Sequence, residues 1–347
     1  MLVLVSDAEA TCGVEAFARH LATTAGARGA TYVLDRNAAG LRRALAEADV
    51  LVINLPVVAW KKKLAEPVIA AGFARTGGRE LVLVLHEWAD LDWKRRASYA
   101  PLLPLASAVL FSSPEVARQF AASPLARLTT ARRAIVPIPP NLIRPAATES
   151  TPATARLLAE RARGRLIIGH FGSIYPKKQS SIVLDVAARL RERGEDPFLA
   201  FIGSFVKGSD QVEADFTARA EALGLADRML VTGYVATDEQ VFGLFDAVDV
   251  FLYAFAEGLT SRRASVLAAA ASGRPVVVNA PRENGTFDHH PTYRRLIADG
   301  SLVMAPTEAS VDVLADAVLA AREAGSGTGA VDAATAWREA LAAVDAV

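Results

Sequence analysis

Short apolar runs alternate with helix-period stretches along almost the whole chain, and the runs are unbroken rather than alternating in polarity. A strand with one wet face alternates. A continuous run of Val, Leu and Ile suits a strand covered on both faces, as in a parallel sheet packed between helices. In the first half the runs are LVLVS (2–6), TYVLD (31–35), VLVINLP (50–56), ELVLVLHE (80–87), AVLFSS (108–113) and AIVPIP (134–139). In the second half they are RLIIGHFGS (165–173), FLAFIGS (198–204), MLVTGYV (229–235), VDVFLYAF (248–255), RPVVVNA (274–280) and SLVMAP (301–306). Helical spacing fills segments such as 14–25, 181–193, 212–223 and 264–272. Repeated strand–helix–strand units of this kind build doubly wound sheets, and 347 residues suit two α/β domains rather than one core.

The halves are separated by PIPPNLIRPAATESTPATARLLAERARG, whose prolines disfavour regular structure. The expected organisation is therefore a first domain over 1–145, a linker over 146–164 and a second domain over 165–330. A Gly/Ser-rich turn at 324–329 precedes a final helical segment, 331–347. Two Rossmann-like domains facing each other would form a central cleft at the carboxyl ends of both sheets, where such sheets bind ligands.

Charge and cysteine content narrow the function. Lys plus Arg and Asp plus Glu both number 38, so no global field steers the chain onto nucleic acid. The basic clusters Lys61-Lys62-Lys63 and Lys94-Arg95-Arg96 read most simply as solvated faces, or as points of contact with an anionic acceptor or a membrane surface. One cysteine, Cys12, excludes an internal disulfide and any multi-cysteine metal site. His289 and His290 lie in FDHHPT without a further ligand at metal spacing, so no metal site is expected. No stretch approaches the roughly 18 apolar residues needed to span a bilayer, and MLVLVSD is too short an apolar run for a signal peptide, so a cytoplasmic protein is expected.

Three strand ends carry groups suited to an anion. In HFGSIYPKKQSSIVLDVAARL a strand runs through Gly172-Ser173 into a turn with Lys177 and Lys178, then into a helix. A lysine beside a helix start suits a diphosphate, although a solvated turn reads equally well from these residues. In AFAEGLTSRRASVLAAAASGRPVVV, Glu257-Gly258 follow a strand, and Leu259, Thr260, Ser261, Arg262 and Arg263 lead into a small-sided helix near Ala264. Cations at a helix N-terminus oppose the macrodipole and ask for an anionic partner. In DAEATCGVEAFARHLA, Gly13 opens a helix without a GxGxxG dinucleotide fingerprint. His86 closes the strand in VLVLHEWADLDW, and Trp60, Trp88 and Trp93 lie near the same end of the first domain, where aromatic faces suit a sugar or an apolar acceptor.

Taken in order, these segments resemble the retaining GT-B glycosyltransferases of the glycosyltransferase group 1 (family 4-like) clan. CGVEAFARHLA is similar to the clan's early Gly-Gly-Val-Glu loop and helix, LHEWAD to its histidine-bearing strand end, AVLFSSPEVARQF to its strand and helix before the linker, and GSIYPKK to its diphosphate-lysine turn. LVTGYVATDEQVFGLFDAVDVFLYAFAEG resembles the approach to the clan's Glu-x7-Glu signature, SGRPVVV its continuation, and DAATAWREALAAV a closing helix that packs back on the first domain. Two positions depart from the pattern. Ser173 stands where the clan has an arginine, and Ser265 where it has the second glutamate, so the role of Ser265 is open.

The resemblance implies a metal-independent transfer, with retention, from a UDP- or GDP-sugar to the hydroxyl of a small-molecule or glycan acceptor, with no cofactor beyond the donor. It places His86, Lys178 and Glu257 at the chemistry. Gly13, Ser173, Tyr234, Val235, Gly258, Leu259, Thr260, Arg262, Arg263 and Ser265 fall on the donor, and the 258–261 amides and Arg263 on its diphosphate. Trp60, Trp88 and Trp93 remain for the acceptor side. Two alternatives stay open: a catalytically inactive GT-B subunit that binds sugar or activates a partner, and a GT-B sugar-nucleotide epimerase.

Overall fold

A computed structural model describes residues 1–6, 13–56, 65–175, 178–205, 210–325 and 331–347. It divides into two compact units, Met1–Asn141 with Ala334–Val347, and Leu142–Ala333. Every one of the twelve apolar runs contains a strand, and all strand pairs in both sheets are parallel.

In the first unit β1 (Leu2–Val5), β2 (Ala30–Val33), β3 (Val50–Leu55), β4 (Glu80–Leu85), β5 (Ala108–Phe111) and β6 (Arg132–Ile135) form one sheet in the order β2-β1-β3-β4-β5-β6. The four inner strands are buried almost throughout, whereas β2 and β6 at the edges are largely open, which matches their weaker apolar runs. Helices α1 (Gly13–Thr24), α2 (Ala38–Ala46), α3 (Ala65–Thr76), α4 (Trp93–Ser98) and α5 (Pro114–Ala121) connect them.

The second unit opens with α6 (Pro152–Ala162), inside the stretch expected to be a linker. Thr151 caps it, its hydroxyl accepting from the Thr154 amide, and Pro152 takes the first helical position, where its missing N–H loses nothing. Leu157 is fully buried in the second unit's core, so 152–162 belongs to that unit and is not a free tether.

The remaining strands are β7 (Leu166–Phe171), β8 (Pro197–Ile202), β9 (Met229–Val231), β10 (Val250–Tyr253), β11 (Val276–Asn279) and β12 (Leu302–Ala305), in the order β12-β11-β10-β7-β8-β9. Their helices are α7 (Ser180–Glu192), α8 (Asp210–Ala222), α9 (Asp238–Asp246), α10 (Ala264–Ala270), α11 (Pro291–Ala298) and α12 (Val311–Ala324). Alternate residues of each strand enter two separate clusters: Ile167, Phe198, Phe251 and Val276 on one face, and Ile168, Leu199, Leu252 and Val277 on the other. Two dry faces explain why these strands read as continuous apolar runs.

One further helix, α13 (Ala333–Asp345), packs with the first unit. Trp337 lies 5.3 Å from the Phe17 ring and 5.0 Å from His20, both on α1, and Asp345 pairs with Arg28.

Candidate functional site

In the second sheet β7 lies between β8, which follows it in sequence, and β10, which comes three strands later. The order reverses there, and the carboxyl ends of β7 and β10 flank the crevice that doubly wound sheets use for ligands. Phe171 and Tyr253 end these strands, so the two segments singled out for an anion leave them side by side at Gly172 and Ala254.

The β7 exit is tight. Gly172 has φ +115, in the region that favours glycine, and a β-carbon built on it would lie 2.5 Å from Lys178 Nζ and 3.7 Å from Ser265 Cβ. Lys178, Ser265 and the Gly172 backbone therefore converge. Ser173 is exposed just beyond. Lys178 is only 9% exposed, and among the described residues no oxygen accepts from its ammonium, which lies over the Tyr175 ring at 5.8 Å. Burial, with Arg263 as a second cause, pushes its pKa down to about 8.

The β10 exit is held by groups that the sequence did not single out. Asn279, on β11, accepts from the Phe255 amide at 2.9 Å and donates to the Phe255 and Thr307 carbonyls. The Tyr253 hydroxyl accepts from the Phe171 amide at 3.2 Å and faces the carbonyls of Phe171 and Ser265, tying the end of β7 to the start of α10. Tyr293 donates to the Arg263 carbonyl at 3.0 Å. Asn279 and Tyr253 sit in apolar runs and Tyr293 on α11, where nothing in the sequence separates them from ordinary core residues.

Within that loop, the residues expected at a donor divide. Gly258 has φ +75, and a β-carbon there would meet the Ala280 carbonyl oxygen at 2.3 Å. The Gly258 amide donates to Phe255 and the Leu259 amide to Asn279, while the Leu259 side chain is fully buried. These two residues shape the loop, and their amides already have backbone acceptors. The Thr260 and Ser261 amides have no acceptor among the described residues, and the buried Thr260 and Ser261 hydroxyls have no partner there either. Arg263 is not the unpartnered cation that a helix start would disfavour. Its guanidinium pairs with Glu257 and lies 4.4 Å from the centroid of the Phe255 ring. Arg262, half-buried, has interactions of its own.

Other expected residues lie elsewhere. Tyr234, 71% exposed, and Val235 follow the edge strand β9, separated from β7 by β8. Gly13 begins α1 with open space where a side chain would stand. In the first unit His86 is buried, its Nε2 3.0 Å from Asn54 Oδ1 and its ring edge-on to Phe17 at 4.9 Å. Trp88 is 2% exposed and packs edge-on against Phe120, which makes it a core residue rather than an acceptor platform. Trp93 is 71% exposed at the start of α4, with Lys94 beside its ring. Trp60, Lys61, Lys62, Lys63, Cys12 and Lys177 lie outside the described residues. No helix among the described residues is long and apolar enough to cross a membrane.

The fold defined by these two parallel α/β units is that of the GT-B glycosyltransferases. Residues 165–323, most of the second unit, match the family model for glycosyl transferases group 1. No curated protein matches the chain. Among solved structures the chain is similar to HepE from Anabaena, determined with UDP and glucose, at 16% identity and a TM-score of 0.64, with 100% of this chain and 99% of that one covered. It is similar to a glycosyltransferase from Rickettsia africae at 11% identity and TM-score 0.60, covering 99% and 93%. Sucrose-phosphate synthase from Thermosynechococcus elongatus gives 16% identity and TM-score 0.58, covering 99% and 94%.

Proposed function

We propose that this chain is a cytoplasmic glycosyltransferase that moves a sugar from a nucleoside diphosphate-sugar, UDP- or GDP-linked, to an acceptor hydroxyl with retention of anomeric configuration and without a metal. The observation that carries the reading is Lys178, a buried cation without an acceptor among the described residues, at the strand reversal of the unit that matches the family model. A dry ammonium interacts with an incoming diphosphate far more strongly than a solvated one.

Lys178 and Arg263 hold the diphosphate in this reading, with the Thr260 and Ser261 amides and hydroxyls, which have no partner among the described residues, as further donors. Arg263 brings Glu257 with it, so the pair sets a carboxylate for the donor sugar's hydroxyls beside a guanidinium for phosphate oxygens. The sugar C1–O bond to the phosphate breaks as the new bond to the acceptor oxygen forms. The acceptor proton passes to the departing phosphate, and the nucleoside diphosphate leaves. Two cations at the leaving group supply the charge that Mg²⁺ supplies in other transferases, and they would repel such an ion. Turnover in excess EDTA should therefore equal turnover without it. Complete loss, restored by magnesium or manganese, would overturn metal independence.

A second reading, a sugar-binding subunit without activity, draws support from Ser173 and Ser265 and from the engagement of Glu257 by Arg263. Release of free sugar and UDP or GDP from the donor without acceptor favours the enzyme; binding with no turnover over hours favours the subunit.

A further inference from the structure

His170 interrupts the apolar β7 run LIIGHF and is buried on the face that packs against α7. Its Nδ1 lies 3.0 Å from the Leu252 carbonyl oxygen, which only accepts, so Nδ1 carries the ring proton. Nε2 is then an acceptor, and the Ser180 hydroxyl, 3.3 Å away, donates to it. Ser180 is the first residue of α7. Gln179 before it has φ 46 and ψ 37, a left-handed conformation that side chains disfavour and that has no capping bond of its own. Lys178 precedes that turn, its amide donating to Tyr175 at 3.0 Å. A single strained residue thus separates the site lysine from a serine anchored to a buried imidazole.

We propose that His170 is a positioning residue: by accepting the Ser180 hydroxyl it pins the start of α7, holds the left-handed Gln179 turn closed, and so keeps the Lys178 ammonium against Gly172. The groups facing the imidazole are Lys178 and Ser180 from the turn and α7, Tyr253 from β10 with ring centroids 4.8 Å apart, and Phe201 from β8 at 5.8 Å. Arg263 faces Lys178 from the loop before α10. Burial first, and the Lys178 charge second, hold His170 far down, at about 3, so the ring stays a neutral acceptor throughout the working range of pH. An apolar residue at 170 would fill the space but leave the serine unanchored. The functional meaning of this device rests on the donor reading of Lys178; the lysine's position does not.

The test is the titration of Lys178 in the isotope-labelled full chain, followed by side-chain NMR without ligand, together with calorimetric UDP and uridine affinities at pH 7. Wild type should titrate near 8. Ser180→Ala, and His170→Leu where it folds, should move the midpoint up by at least about half a unit as water reaches the released ammonium. UDP should weaken several-fold and uridine stay within about twofold, since the phosphate contact alone is displaced. Adding Gln179→Gly to Ser180→Ala should restore both, because glycine holds the left-handed turn unaided. An unchanged Lys178 midpoint in Ser180→Ala, or UDP and uridine falling together, would show that His170 fills core space and positions nothing. A shifted midpoint in a protein that binds no nucleoside diphosphate would leave the positioning standing and remove the donor reading.

Discussion

Lys178 is a charge kept where a charge is unfavourable. Its folded pKa of about 8 lies below the ordinary 10.5, so between those values the folded protein holds fewer protons than the unfolded chain. The unfolding free energy should therefore rise with pH across this window, as the burden of a buried ammonium is lifted. Lys178→Met should raise Tm at pH 7 and narrow that gain by pH 10.5, while weakening UDP at least about tenfold through one lost charge-assisted contact. Thermal unfolding at the two pH values and a UDP titration check both halves; a Met variant less stable at pH 7 would contradict the account. Arg263→Ala should weaken UDP more than uridine and raise the Lys178 midpoint, since Arg263 is a cause of the depression; Arg263→Lys should recover part of the affinity, as a point charge replaces a fork. The lysine's place after the second unit's first strand was legible in the sequence. Its dryness was not, because that depends on Gly172 and Ser265 arriving from separate segments. Trp88 shows the converse: a tryptophan after a strand end reads alike whether it faces a ligand or Phe120.

At the scale of elements, the loop between β10 and α10 is fixed from three sides, by Asn279, Tyr253 and the close pass of 280 over Gly258. Gly258→Ala should cost about 1–3 kcal/mol, through a left-handed residue and a β-carbon forced on a carbonyl. Tyr253→Phe should cost a similar amount, about 1–3 kcal/mol, by leaving the Phe171 amide without its acceptor. Urea unfolding of each variant gives these values, and UDP affinity should fall in both as the loop loosens. The eight inner strands could be read in advance because each is dry on both faces, and that dryness writes an unbroken apolar run; the four edge strands gave weaker runs. Helix α6 could not, because Pro152 reads as a breaker until its place at the first helical position, behind the Thr151 cap, is known.

At the scale of the molecule, the first unit is assembled from two stretches that are far apart in sequence. Trp337 covers Phe17 and His20 and is itself 2% exposed. Trp337→Ala should destabilise the first unit by about 3–5 kcal/mol, the range for emptying a large aromatic site. Denaturant unfolding should show that loss, while UDP affinity, on the proposal that second-unit groups carry it, should stay within about twofold.

That same arrangement sets a timetable for biosynthesis. The flank of α1 that carries Phe17 and His20 lacks its Trp337 contact until 333–345 has been translated, after the whole of the second unit. At roughly 5–20 residues per second the wait is on the order of fifteen to sixty seconds. A nascent first unit would then expose the side of Phe17 and His20 that Trp337 covers throughout that interval, and a stop codon just before 333 would cost the first unit part of its packing.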